Sequence, residues 1–260
     1  MGFFEKIEKN PYADLYWNVP EKKQGTVNII GGNGQSFKTE IRVAEYLGVS
    51  YPVEFVNVVL PESLKSELPP LDNFRFLPAT ESGSFGGEGL QESFENVDYN
   101  LLVGDLSKNS ITGRAVVSAC QSSAKPVLIT RDAVDVVADN QPEKLLLNDK
   151  ISFFASLAQL QKLLRAVYYP KMLLLSQSLV QVAEVLHKFT LSYPVGIVTF
   201  CNEQILVAKD GVVKAVSLKD SGYSPLTMWN GELVAKIVAL NLYNPNNLVQ
   251  ATVAAIYHNV

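Results

Sequence analysis

Residues 27–47 read VNIIGGNGQSFKTEIRVAEYL, and this stretch decides the fold. Val27, Ile29 and Ile30 make a short β-branched run of the kind that fills a buried strand. Gly31-Gly32-Asn33-Gly34 then allows a sharp turn, and Ile41, Val43, Ala44 and Leu47 follow at roughly helical spacing. The order is strand, glycine turn, helix. Since α/β sheets place their ligands beyond the carboxyl ends of strands, Gly32 and Asn33 are candidate ligand-facing residues, with a plain tight turn as the other reading. The spacing is neither a G-x-G-x-x-G fingerprint nor a P-loop, because no Gly-Lys-Ser/Thr follows.

The same unit recurs along the chain. Residues 54–60 read as a strand leading through Pro61 into a short helix, 101–104 as a buried strand ending at Gly104, 113–122 as a helix, and 126–130 as the next strand. Phe153, Leu157, Leu160, Leu164 and Val167 mark a helix closed by Pro170, residues 172–175 a strand, and Leu179, Val182, Ala183, Leu186 and Phe189 a further helix. Residues 196–200 form a strand, and 205–208 with 212–216 flank Lys209-Asp210-Gly211, the strongest hairpin signal. Two helices, 231–242 and 248–257, close the chain. Alternation of this kind predicts a mostly parallel sheet covered by helices on both faces, with an antiparallel hairpin at one edge. Residues 25–260 are expected to form one domain. Residues 1–24 are expected to form an arm whose Phe3, Phe4, Ile7 and Tyr12 sit on a short amphipathic helix. Residues 81–89, with four glycines and no periodicity, read as a mobile surface loop, either a lid or an idle insertion.

Composition sets the outer bounds. Of 260 residues 47% are apolar and 18% charged, and 22 basic against 26 acidic side chains leave a net charge of -4. That sign and size disfavour a dedicated nucleic-acid or anionic-membrane binder. No apolar run approaches the roughly 20 residues needed to cross a bilayer, and a cytoplasmic protein is expected. Cys120, Cys201, His187 and His258 are too scattered for a metal-ligand spacing, and reduced structural thiols are expected. Lys38 and Arg42 read as a solvated helix face, Lys125 as a surface turn, and no serine sits in a G-x-S-x-G elbow.

A second chemical candidate is Leu226-Thr227-Met228-Trp229-Asn230-Gly231-Glu232-Leu233, which enters a helix. Free amides at a helix start hold anions, and a carboxylate in the first turn can serve as a general base. Helix capping by Asn230 with a favourable first-turn charge at Glu232 is the alternative.

Taken together, the glycine-turn strand, the strand end at Gly104, the segment Lys125-Pro126-Val127-Leu128-Ile129-Thr130-Arg131-Asp132-Ala133-Val134, the Asp-Gly hairpin and Asn230-Gly231-Glu232-Leu233 resemble the ribokinase-like superfamily. Within it the likeness is to the ADP/ATP-dependent NAD(P)H-hydrate dehydratases, over about residues 25–260. The resemblance implies a three-layer α/β sandwich and a lyase that uses ADP or ATP with Mg²⁺ to remove water from hydrated NADH or NADPH. It also implies nucleotide ligands and a homo-oligomer. The family's glycine-serine-glycine-aspartate element falls on Trp229, Asn230, Gly231 and Glu232, so Glu232 inherits the catalytic acid/base role, and Asn230, Gly231 and Gly104 the phosphate contacts. Asp132 with Gly32 and Asn33 falls at the substrate pocket, and no metal-ligating residue is assigned. The family's glycine-proline-glycine turn keeps only Gly104, its histidine-proline-glycine-glutamate segment is absent near 149–152, and its lysine-glycine pair becomes Phe200-Cys201. Thr39 and Glu40 stand where the family has glycine and alanine. A β-carbon at 229 or 230 can hold a phosphate off the helix amides. Two other readings therefore stand beside the lyase: a binding or assembly protein that kept only the scaffold, and a small-molecule kinase of the same superfamily.

Overall fold

A computed structural model describes residues 2–218, 223 and 230–258. Ten strands form one sheet: β1 (Phe4–Ile7), β2 (Thr26–Gly31), β3 (Phe55–Pro61), β4 (Phe74–Leu77), β5 (Tyr99–Gly104), β6 (Val127–Thr130), β7 (Ile151–Ala155), β8 (Gly196–Cys201), β9 (Gln204–Lys209) and β10 (Val212–Ser217). Their spatial order is β1-β10-β9-β8-β7-β6-β5-β2-β3-β4. Among the described strands only β9 runs against the rest, paired antiparallel to β8 and β10. The β9–β10 turn is the expected one: Asp210 and Gly211 both take positive φ, 49° and 77°, as a two-residue hairpin requires.

The helices are α1 (Lys38–Ser50), α2 (Leu90–Glu95), α3 (Ser110–Ser122), α4 (Asp132–Ala138), α5 (Leu157–Ala166), α6 (Leu179–Ser192), α7 (Glu232–Tyr243) and α8 (Leu248–Tyr257). Side chains alternate across each strand, so the sheet has two apolar faces, each with its own core. Ile29, Leu101, Leu128 and Val198 meet α1, α7 and α8 on one side. Ile30, Leu102, Ile129 and Ile197 meet α2 to α6 on the other.

Four local expectations need correction. Phe4–Ile7 is a strand, paired parallel with β10 from Phe4↔Val213 to Ile7↔Val216, and not part of a helix. It lies outside the hairpin at that end of the sheet. Phe153 belongs to β7, because Ser156 begins α5 in a capping box with Gln159, which stops the helix from extending back. Residues 172–175 form no strand: Leu175 is 84% exposed, and the amides of Leu173 and Leu174 go to the side chains of Gln161 and Gln177. The glycine-rich stretch 81–89 is tied down. Phe85 is fully buried, its carbonyl accepts from Thr112 Oγ1 at 2.8 Å, and the Gly83 carbonyl accepts from the Gly34 amide at 3.0 Å.

Candidate functional site

The strand order reverses between β2 and β5: the chain runs outward from β2 to β3 and β4, and the other way from β5 through β6 and β7 to β8. The connections leaving the carboxyl ends of β2 and β5 therefore depart in opposite directions, which is where open α/β sheets form their crevice. Gly31 and Gly104 close those two strands as register partners, and the Gly32 amide donates to the Gly104 carbonyl at 2.9 Å.

The residues around this switch point form one charged group. Asp132 opens α4, and its carboxylate accepts two backbone amides from the turn after β5, Asp105 N–H at 2.7 Å and Leu106 N–H at 3.0 Å. Gly104 is glycine for that reason: at φ 126° a β-carbon there would lie 2.2 Å from Asp132 Oδ1. Burial raises the Asp132 pKa, against the pull of the two amides. Arg131 reaches across the crevice, donating to Asp105 Oδ1 at 2.9 Å and Thr39 Oγ1 at 3.0 Å. Both members of this ion pair hold positive φ without being glycine, Asp105 at 52° and Arg131 at 55°, a conformation costing on the order of 1–3 kcal/mol each.

Behind the pair sits Glu40, fully buried in the first turn of α1. A β-carbon on Gly31 would lie 2.4 Å from Glu40 Oε1 and 2.5 Å from the Gly104 carbonyl, so the missing side chain at Gly31 is what admits this carboxyl. Neither Glu40 oxygen pairs with another residue among the described ones, and the one nearby donor is the backbone amide of Glu40 itself. Burial first, and the Asp105 charge second, push its pKa up to about 8, with its own backbone amide and then Arg131 drawing it back only in part. At neutral pH this shift favours the neutral acid. Glu40, Asp105 and Arg131 were not among the sequence candidates. The signal for Glu40 was available, since residue 40 shares the helical stripe of Val43, Ala44 and Leu47.

The crevice brings together several of the sequence candidates. Gly104 and Asp132 touch, Gly32 bonds to Gly104, and Asn33 donates through its side chain to the Asp105 carbonyl while its Oδ1 accepts from the Gln35 amide. Asn33 is thereby committed to holding the turn. An open cavity of about 430 Å³ lies in front, lined by Asp105, Arg131, Asp132, Asp135 and Gln159.

Asn230, Gly231 and Glu232 form the start of α7. Gly231 caps it in the left-handed region at φ 89°, with no side-chain capping bond. A β-carbon on Gly231 would strike Val43 Cγ2 at 2.2 Å, so glycine there allows α7 to lie against α1. Asn230 and Glu232 are exposed. The charge of Glu232 acts on Tyr46 of α1, Tyr223 and Lys236 of its own helix, whereas the charges acting on Glu40 are those of the crevice. Residues 226–229 of that motif lie outside the described residues. Cys120 and Cys201 are free and buried, and burial raises both thiols. Among the described residues no three His, Cys, Asp or Glu side chains gather as a metal site, and no helix is long and apolar enough to cross a membrane.

Solved structures match this architecture over nearly its full length. A ribokinase-like superfamily protein from Enterococcus faecalis superposes with a TM-score of 0.67 at 14% identity, covering 99% of this chain and 86% of that one. A hypothetical protein from Streptococcus mutans gives 0.68 at 14%, with 96% and 88% covered. The ADP/ATP-dependent NAD(P)H-hydrate dehydratase of Bacillus subtilis, co-crystallised with ATP/Mg²⁺ and soaked with CoA, gives 0.60 at 12%, with 96% and 86% covered. The chain has the ribokinase-like fold. No family model and no curated protein matches the sequence.

Proposed function

We propose that this chain binds a small polar molecule at its switch-point crevice without transferring phosphate, having kept the ribokinase-like scaffold and rebuilt the site. One observation carries the reading: the Asp132 carboxylate already occupies the Asp105 and Leu106 amides. Successive amides in such a turn are what a phosphate would use, and here an internal anion fills them. Asp105, Asp132 and Asp135 add negative charge, while the Arg131 guanidinium is spent on Asp105 and Thr39. The residues of this crevice do not fit ADP or ATP, whose phosphates would meet carboxylates at close range. Thermal unfolding with ADP or ATP and Mg²⁺ tests this directly. Ligand that binds only the native state raises its stability, so no shift is expected, and a saturable rise in Tm with either nucleotide overturns the proposal.

A second reading has its own observation, the start of α7. Gly231 is left-handed, no side chain caps the helix, and Glu232 stands exposed beside it. Such a helix end attracts anions, and a carboxylate there can carry a proton. On this reading the chain is a nucleotide-dependent lyase acting on hydrated NADH or NADPH. Recovery of NADH absorbance from the hydrate, lost in Glu232→Ala, would establish it. Phosphoryl transfer to a stable product would indicate a kinase instead. Assembly into a homo-oligomer accompanies either reading, and a monomeric mass by light scattering at micromolar concentration would exclude it.

A further inference from the structure

Four buried oxygens pair with no other residue among the described ones, on elements that meet at the switch point: both carboxyl oxygens of Glu40, Asp105 Oδ2 and Thr130 Oγ1. Glu40 comes from α1, Asp105 follows β5 and Thr130 ends β6. Gly31 and Thr130 fall in the alternating register of Ile29 and Leu128, so they face the layer that holds α1. Glu40 and Thr130 thus lie on one side of the sheet, and Arg131 joins Thr39 of the same helix to Asp105. A buried polar atom left unpaired costs on the order of 1–3 kcal/mol, and four on adjoining elements point to a common cause.

Their chemistry is one-sided. Asp105 Oδ2 only accepts hydrogen bonds, the Glu40 carboxyl has more acceptor than donor capacity, and the Thr130 hydroxyl can do either. A ligand that satisfies them must bring N–H or O–H groups, and a positive charge would be favoured beside Asp105 and Asp132. No three metal-ligating side chains converge among the described residues, so these acceptors suit a cation that carries its own directional donors. Resting on the reading of the crevice as a small-molecule site, we propose that it takes a primary amine, whose ammonium group enters past Arg131 to lie between Glu40, Asp105 and Thr130. The remainder of the molecule occupies the outer cavity beside Asp135 and Gln159.

The charged groups facing Glu40 are Asp105, Arg131 and Asp132; in the free protein burial, reinforced by the two aspartates, favours its protonated form against Arg131 and its own amide. An ammonium set against Glu40 reverses that balance, since an adjacent opposite charge favours the ionised carboxylate. Binding at pH 7 therefore releases a proton from Glu40 to solvent, leaving a carboxylate–ammonium pair that is neutral overall.

The experiment is titration calorimetry on the full chain at pH 7 with methylammonium, ethanolamine and putrescine as probes, up to about 50 mM. Two buffers of different ionisation enthalpy, neither of them a primary amine, count the protons. Saturable binding of at least one probe with close to one proton released is expected. Tetramethylammonium, which has no N–H, should not bind. Glu40→Gln, matched in shape, should weaken binding about tenfold or more and abolish the proton release. Should that variant fold poorly, Thr130→Val provides the same comparison of affinity. Absence of binding by every amine, equal affinity in Glu40→Gln, or saturation by KCl or MgCl₂ alone would each overturn the proposal. Amine failure with no nucleotide shift leaves the proposed function standing, whereas a nucleotide shift removes the proposed function whatever the amines do.

Discussion

Replacing Glu40 by glutamine keeps the shape of the side chain and deletes its titration, which isolates one physical quantity. Folding raises this carboxyl from 4.5 to about 8. At 1.36 kcal/mol per pH unit, the wild type should lose on the order of 5 kcal/mol of stability, relative to the variant, between pH 4.5 and pH 8. The sign follows from the direction of the shift. A carboxyl whose folded pKa lies above its unfolded value favours the fold while protonated, so its contribution is complete below about pH 4.5 and disappears as pH rises through the folded value. At pH 7 the variant should be more stable by roughly 3 kcal/mol, and near pH 4.5 the two should coincide. Urea unfolding at intervals from pH 4.5 to 9, with m compared to confirm that the same surface is exposed, measures this difference. Parallel stability curves across the whole interval would show that Glu40 is ionised in the fold, and the account of the crevice would fall with it.

Asp132→Asn leaves an acceptor for only one of the Asp105 and Leu106 amides, so a loss of about 1–3 kcal/mol is expected in urea unfolding. Because the Asp132 charge also raises Glu40, the pH of the Glu40 transition should move down in this variant. Gly231→Ala drives a β-carbon into Val43 from a left-handed backbone; about 2 kcal/mol or more should be lost, visible as a lower Tm. Phe85→Ala opens a cavity in the α2–α6 core and should cost about 3–5 kcal/mol by urea unfolding. A surface-loop cost below about 0.5 kcal/mol would contradict the anchoring of residues 81–89.

The layered α/β architecture was legible because two periodicities alternate plainly. Residues 27–47 and the Asp210-Gly211 hairpin fall where their patterns put them. The errors have identifiable causes. Phe153 fits a strand run and a helical stripe equally well, and the Ser156–Gln159 pair, which decides between them, is a signal carried by polar residues instead of apolar ones. Phe4–Ile7 is too short to show a period, and its partner lies at the other end of the sequence. In the crevice, glycines marked the right strand ends, but sequence could not tell which group each glycine makes room for. Gly31 admits Glu40, Gly104 admits Asp132, and Gly231 admits Val43. The last two join elements well separated in the chain, and even Gly31 and Glu40, nine residues apart, meet only once α1 has packed on the sheet.

That order has a consequence for synthesis. Among the described strands the earliest in sequence, β1, pairs with the latest, β10, Glu5 meeting Lys214 across 209 residues. On the ribosome Phe3, Phe4 and Ile7 must wait unpaired until residue 216 has emerged, and the outer backbone of β10 stays uncovered until they arrive. Closure of this edge of the sheet therefore waits until nearly the whole chain has been made. A bulky N-terminal fusion or a cut before residue 8 would leave β10 as an unprotected edge, open to strands of other chains.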